Sequence, residues 1–158
     1  MDSTATAHRT EQQYELIIDR RFAAPRELVF EVWTQPKHLV NWWGPANFSL
    51  PFCELEFRPG GKYRFCMRSP EGEDHWVSGE YLQIAAPELL EKTWLRSTPA
   101  GAIWCDTVLK LSFEASGEET IFRLHQRGFV SAEHRDDHRG GWTQCLDRLE
   151  DYVTVPVS

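Results

Sequence analysis

A chain of 158 residues with a formal net charge of −7 is the size of one ordinary domain and a poor match for polyanions. Arg20, Arg21 and Lys110 stand isolated rather than in a basic stripe, which argues against nucleic acid or an anionic membrane surface as a partner. Cys53, Cys66, Cys105 and Cys145 form no C-x-x-C pair and no short Cys/His spacing, so neither a redox motif nor a zinc site is indicated, and no metal or cofactor is expected.

Residues 1–12 have no hydrophobic periodicity and read as a flexible tail ahead of a single domain over 13–158. No apolar run approaches the length of a membrane span and the N-terminus lacks a signal-peptide pattern, so the expectation is a soluble, cytoplasmic protein with reduced thiols. Tyr14, Leu16, Ile18 and Phe22 alternate with charged residues as in a half-buried strand. Pro25 at a first helical position opens a short helix carrying Leu28, Val29, Val32 and Trp33. A second short helix is predicted from Pro36 to Trp42, with Leu39, Trp42 and Trp43 as an internal plug.

Strand-like runs then follow at meander spacing: 48–57, 62–69, 75–84, 88–96, 104–115 and 120–127, each closed by Gly, Pro or Ser turn residues. Leu109, Leu111 and Phe113 share one face, as do Phe122 and Leu124, and as do Tyr63, Phe65 and Met67. For 75–84 and 88–96 the inward phase is not readable. From Ser131 to Val153 the chain is helical: Trp142, Cys145, Leu146, Leu149, Tyr152 and Val153 form one stripe. Gly140-Gly141 inside this helix costs about 1 kcal/mol per glycine relative to Ala, which predicts a close approach to the sheet there. The fold class is therefore α+β: an antiparallel sheet of about seven strands around one long C-terminal helix, with two short helices after the first strand.

The run from Arg21-Phe22-Ala23-Ala24-Pro25 through Val32-Trp33-Thr34 to Trp42-Trp43-Gly44-Pro45 resembles the opening of the activator-of-Hsp90-ATPase-like proteins of the START/Bet v 1-like superfamily. Further matching pieces are Arg58-Pro59-Gly60-Gly61-Lys62-Tyr63-Arg64-Phe65, Gly79-Glu80-Tyr81 to Pro87-Glu88-Leu89 with Thr93-Trp94, and Gly141-Trp142 with Leu146 and Leu149. The resemblance implies a helix-grip fold with an apolar cavity between sheet and helix. It covers nearly the whole chain after the tail. Eukaryotic co-chaperones of that family add a large N-terminal domain for which this chain has no room.

The walls of that cavity are expected from Tyr63, Phe65, Met67, Leu109, Leu111, Phe113, Phe122, Leu124, Trp142, Leu146 and Leu149, with the amide of Gln126 offered to a ligand. His134 and His138 at i and i+4 have a metal-binding spacing, but within the charge run from His134 to His138 they read as a solvated first turn. His75, His125 and Asp106 would do acid-base work only if brought together. The expected function is binding of a small hydrophobic molecule, aromatic in part, as carrier or sensor. A cyclase or dehydratase using the same cavity and a chaperone-interaction module are the alternatives, and homodimerisation is left open.

Overall fold

The structure, a computed structural model, describes residues 14–154, so the expected tail over 1–12 lies outside the described residues. The strands are β1 (Tyr14–Phe22), β2 (Ser49–Leu55), β3 (Lys62–Arg68), β4 (Asp74–Ala85), β5 (Leu89–Ser97), β6 (Ile103–Ser116) and β7 (Glu119–Phe129). They form one seven-stranded antiparallel sheet in the order β1-β7-β6-β5-β4-β3-β2. The helices are α1 (Arg26–Glu31), α2 (Pro36–Trp42) and α3 (Ala132–Val153). The chain starts at one edge, crosses through α1 and α2 to the other, and then meanders back until β7 pairs with β1.

That crossing explains the two short helices. Pro25 is the N-cap of α1 rather than its first helical residue: its extended backbone (ψ 148°) points a carbonyl at the amides of Leu28 and Val29. Trp42 and Trp43 are buried, as the plug predicts, and their rings pack on Trp33 at 4.8 and 5.6 Å between centroids. The α2–β2 loop is fastened to α3 by Arg148, whose Nη1 lies 3.0–3.2 Å from the carbonyl oxygens of Trp43, Gly44, Pro45 and Phe48. Two hydrogens on that nitrogen serve four acceptors, so the bonds are shared.

Ser131 caps α3, its hydroxyl accepting from the His134 amide at 3.0 Å. The buried stripe of α3 lies against the inward residues of the sheet: Leu109, Leu111 and Phe113 from β6, Phe122 and Leu124 from β7. Burying each such side chain contributes about 1.5–3 kcal/mol. The phases left unread now resolve: Val77 and Tyr81 of β4 and Leu90, Lys92 and Trp94 of β5 face inward. Among the described residues, no helix is long and apolar enough to cross a membrane.

Candidate functional site

Among the described residues, an aromatic-lined cleft opens between the sheet and α3. There, the inward residues at the end of β5 meet the α2–β2 loop and the first half of α3 around a cleft of about 350 Å³. The loop contributes Trp43, Gly44, Pro45 and Phe48; the sheet contributes Met67, His75, Trp94, Arg96 and Trp104; α3 contributes Asp137, His138, Gly141, Trp142 and Cys145. Gly141 helps keep the space open. A Cβ added there would meet only Pro45 Cγ, at 3.6 Å, and one added at Gly140 would meet nothing within 4 Å, so the predicted close approach of these glycines to the sheet is not found: Gly141 faces the loop and the cleft.

Four indoles border the cleft. Trp94 and Trp142 lie 5.0 Å apart between centroids, Trp43 and Trp142 5.5 Å, and Trp43 and Trp94 5.9 Å. Trp104 is the most exposed of them, at 39 %. Beneath them runs a closed polar chain: Trp142 Nε1–H donates to the Gln126 amide oxygen (2.8 Å), the Gln126 amide nitrogen to Thr107 Oγ1 (2.9 Å), and the Thr107 hydroxyl to the Trp94 carbonyl (3.0 Å). It satisfies buried groups that would otherwise be unfavourable, and it fixes the tilt of Trp142.

His138 is buried, not solvated, which corrects the reading of the first turn of α3. Its Nδ1–H donates to the His134 carbonyl at 2.9 Å, which leaves Nε2 as the acceptor for the Trp94 indole N–H at 3.3 Å. Desolvation pulls the imidazole pKa down to about 4, outweighing the His134 carbonyl that favours its protonated form. The ring is therefore neutral at physiological pH, in one tautomer.

Arg96 is the cation of the cleft. Its Nη2 lies 3.4 Å from His75 Nδ1, its guanidinium carbon sits 4.9 Å over the Trp104 ring, and its buried Nε has no hydrogen-bond partner among the described residues. Burial lowers its pKa, with Cys105 acting the other way, but a guanidinium stays charged at neutral pH.

A buried amine, that of Lys92, lies beside Trp43 without bordering the cleft. Lys92 is 1 % exposed, and its Nζ is 4.4 Å from the Tyr63 ring centre and 5.5–5.6 Å from those of Trp43, Tyr81 and Phe65. It has no hydrogen-bond partner among the described residues, and desolvation brings its pKa down to about 7.

Of the residues predicted to wall a cavity, Met67 and Trp142 border the cleft. Tyr63 and Phe65 surround Lys92, and Leu109, Leu111, Phe113, Phe122, Leu124, Leu146 and Leu149 lie in the packed core, at most 2 % exposed. Gln126 is fully buried with both ends of its amide engaged by protein. Trp94, Arg96, Trp104, His138 and the α2–β2 loop were not foreseen. His138 had a readable signal, since 138, 142, 145 and 149 fall at i, i+4, i+7 and i+11 on the buried stripe. His75, His125 and Asp106 do not meet: His125 pairs with Glu15, and Asp106 is exposed.

A larger groove, of about 640 Å³, is lined by Glu54, Glu56, Lys62, Arg64, Ser78 and Glu80 of the outer face, with Tyr63 and Gly79 also bordering it. Its charges are exposed and partly paired, Lys62 with Glu80 at 3.2 Å, as on a solvated surface. Among the described residues, no three metal-ligating side chains converge.

A seven-stranded antiparallel sheet closed over a long C-terminal helix, with two short helices after the first strand, defines the helix-grip class. The chain belongs to the family described as activator of Hsp90 ATPase homolog 1-like protein, whose sequence model matches residues 23–154. A solved AHSA1 protein from Silicibacter pomeroyi is similar to it at 26 % identity and a TM-score of 0.80, covering 87 % of this chain and 95 % of that one. A protein from Arthrobacter aurescens (24 %, TM-score 0.80, 91 % and 88 % covered) and one from Chromobacterium violaceum (22 %, 0.79, 90 % and 98 %) share the fold. No curated protein is a significant match.

Proposed function

We propose that the protein binds a small hydrophobic molecule, aromatic in part, in the cleft between α3 and the sheet, as a carrier or sensor in the cytoplasm. The observation that carries this reading is the opening itself: four indoles border about 350 Å³ of space beside the close-packed core. That volume lies at the lower end of the roughly 300–1,000 Å³ of small-molecule sites. Aromatic walls favour planar ligands through offset and edge-to-face contacts. His138, with both ring nitrogens committed and its pKa far below neutrality, is poorly placed to relay a proton, which favours binding over turnover. Four free thiols fit a reducing compartment.

The test is native mass spectrometry of the protein purified from its own host, followed by denaturation and identification of released small molecules. One apolar or aromatic compound per chain supports the carrier or sensor reading. A protein that is empty and takes up no aromatic probe contradicts it, and a chaperone pull-down would then test the interaction alternative.

A further inference from the structure

We propose that the ligand of this cleft is an aromatic acid, whose carboxylate pairs with Arg96 while its ring lies among Trp94, Trp104 and Trp142. This rests on the cleft reading and adds the chemical class of the ligand. The reason is an imbalance around one side chain. The sequence has 24 acidic residues against 17 lysines and arginines, and Arg20, Arg68, Arg123 and Arg127, among others, pair with carboxylates. Arg96 makes no such pair among the described residues, although it is half-buried and lies at the cleft wall.

Among the described residues, no carboxylate pairs directly with its guanidinium; an acid of the cluster, Glu73, lies 3.5 Å from Nε2 of His75, on the far side of that ring. His75 offers a ring nitrogen at 3.4 Å and Trp104 the face of an indole. Cys105, beside it, is held uncharged because burial pushes its thiol up to about 11. Asp137, the acidic residue bordering the cleft, makes no ion pair with it. A half-buried guanidinium with no directly paired carboxylate is a favourable place for an anion to bind. A carboxylate matches the planar fork of donors, and Nε is one donor without a partner among the described residues. Trp43, another residue of the wall, likewise has an indole N–H without an acceptor among the described residues.

The experiment titrates 2-naphthoate and its neutral isostere 2-naphthamide by tryptophan fluorescence quenching, on the wild-type chain and on Arg96→Met and Arg96→Lys. The wild type is expected to bind the naphthoate about tenfold or more tightly than the amide, as charge-assisted hydrogen bonds allow. Arg96→Met should bring the two within about twofold of each other, the acid losing far more affinity than the amide, and Arg96→Lys, which keeps the charge but not the fork, should fall between. An amide that binds wild type as tightly as the acid overturns the anion inference and leaves the cleft reading standing. A preference for the acid that survives in Arg96→Met overturns the assignment to Arg96. If neither probe binds wild type, the cleft reading falls and this inference with it.

Discussion

The indole N–H of Trp94, on β5, donates to Nε2 of His138, on α3, at 3.3 Å across the interior. This bond joins sheet to helix at the cleft, and it exists only while the imidazole is neutral. An unfolded histidine titrates near 6.5, whereas burial holds His138 at about 4. Between those values the unfolded chain takes up a proton that the native chain refuses, so stability falls as pH drops from about 6.5 to about 4, by on the order of 3 kcal/mol. Urea unfolding at pH 7.5, 5.5 and 4.5 should show this loss in the wild type and a shallower one in His138→Gln. Parallel pH dependences in the two chains would rule out His138 as the source.

Lys92 predicts a stability profile on the alkaline side. Its folded pKa of about 7 lies below the ordinary 10.5, so the native state disfavours a proton that the unfolded chain holds. Wild-type stability should therefore rise with pH between about 7 and 10.5. Lys92→Met replaces the unpartnered ammonium with an apolar chain of similar length and should stabilise the protein at pH 7, by about 1–3 kcal/mol after the lost cation–π contacts are deducted. Its advantage should shrink as pH is raised. Denaturant midpoints at pH 7 and pH 9.5 measure this; an advantage that grows with pH would refute the account of Lys92.

Gly79 is fixed by its neighbours. A Cβ there would lie 2.2 Å from the Thr93 carbonyl oxygen and 2.7 Å from the Tyr63 ring, which crosses the strand to donate its hydroxyl to that same carbonyl. Gly79→Ala should destabilise by about 3 kcal/mol, the upper end of ordinary overpacking, because backbone rather than a flexible side chain must move. Thermal melting checks it, and a shift within error of wild type would contradict it.

The two helix glycines should behave differently. Gly140 is exposed, with open space where its Cβ would be, so Gly140→Ala should stabilise α3 by up to about 1 kcal/mol and leave probe binding unchanged. Gly141→Leu should place its side chain in the cleft and weaken 2-naphthamide binding about tenfold or more, without a matching loss of stability. Equal effects of the two substitutions on binding would argue against Gly141 as part of the wall.

The fold was legible because β6, β7 and α3 keep their periodicities with few exceptions: Leu109, Leu111 and Phe113 alternate with polar neighbours, and Trp142 to Val153 recur at helical spacing. β5 was not, because Lys92 takes an inward position that a charged residue rarely occupies, while Leu89 and Leu95 lie on the other face. The cleft was harder still. Apolar alternation says which residues face inward but not where facing layers fail to touch, so it selected Leu111 and Phe122, which are covered, over Trp94 and Arg96, which border the gap. His138 was hidden by its neighbours: Arg135, Asp136 and Asp137 make the segment look solvated, although its spacing to Trp142 places it on the buried stripe.

The most direct test of the central claim is a ¹H–¹⁵N correlation spectrum of the seven indole N–H groups during titration with 2-naphthamide. The signals of Trp43, Trp94, Trp104 and Trp142 should move together, while that of Trp76, which lies on the outer face against Arg64 and Phe52, stays in place. Movement of Trp76 alone, or of no indole at probe concentrations that saturate typical small-molecule sites, would contradict a ligand cleft at this position.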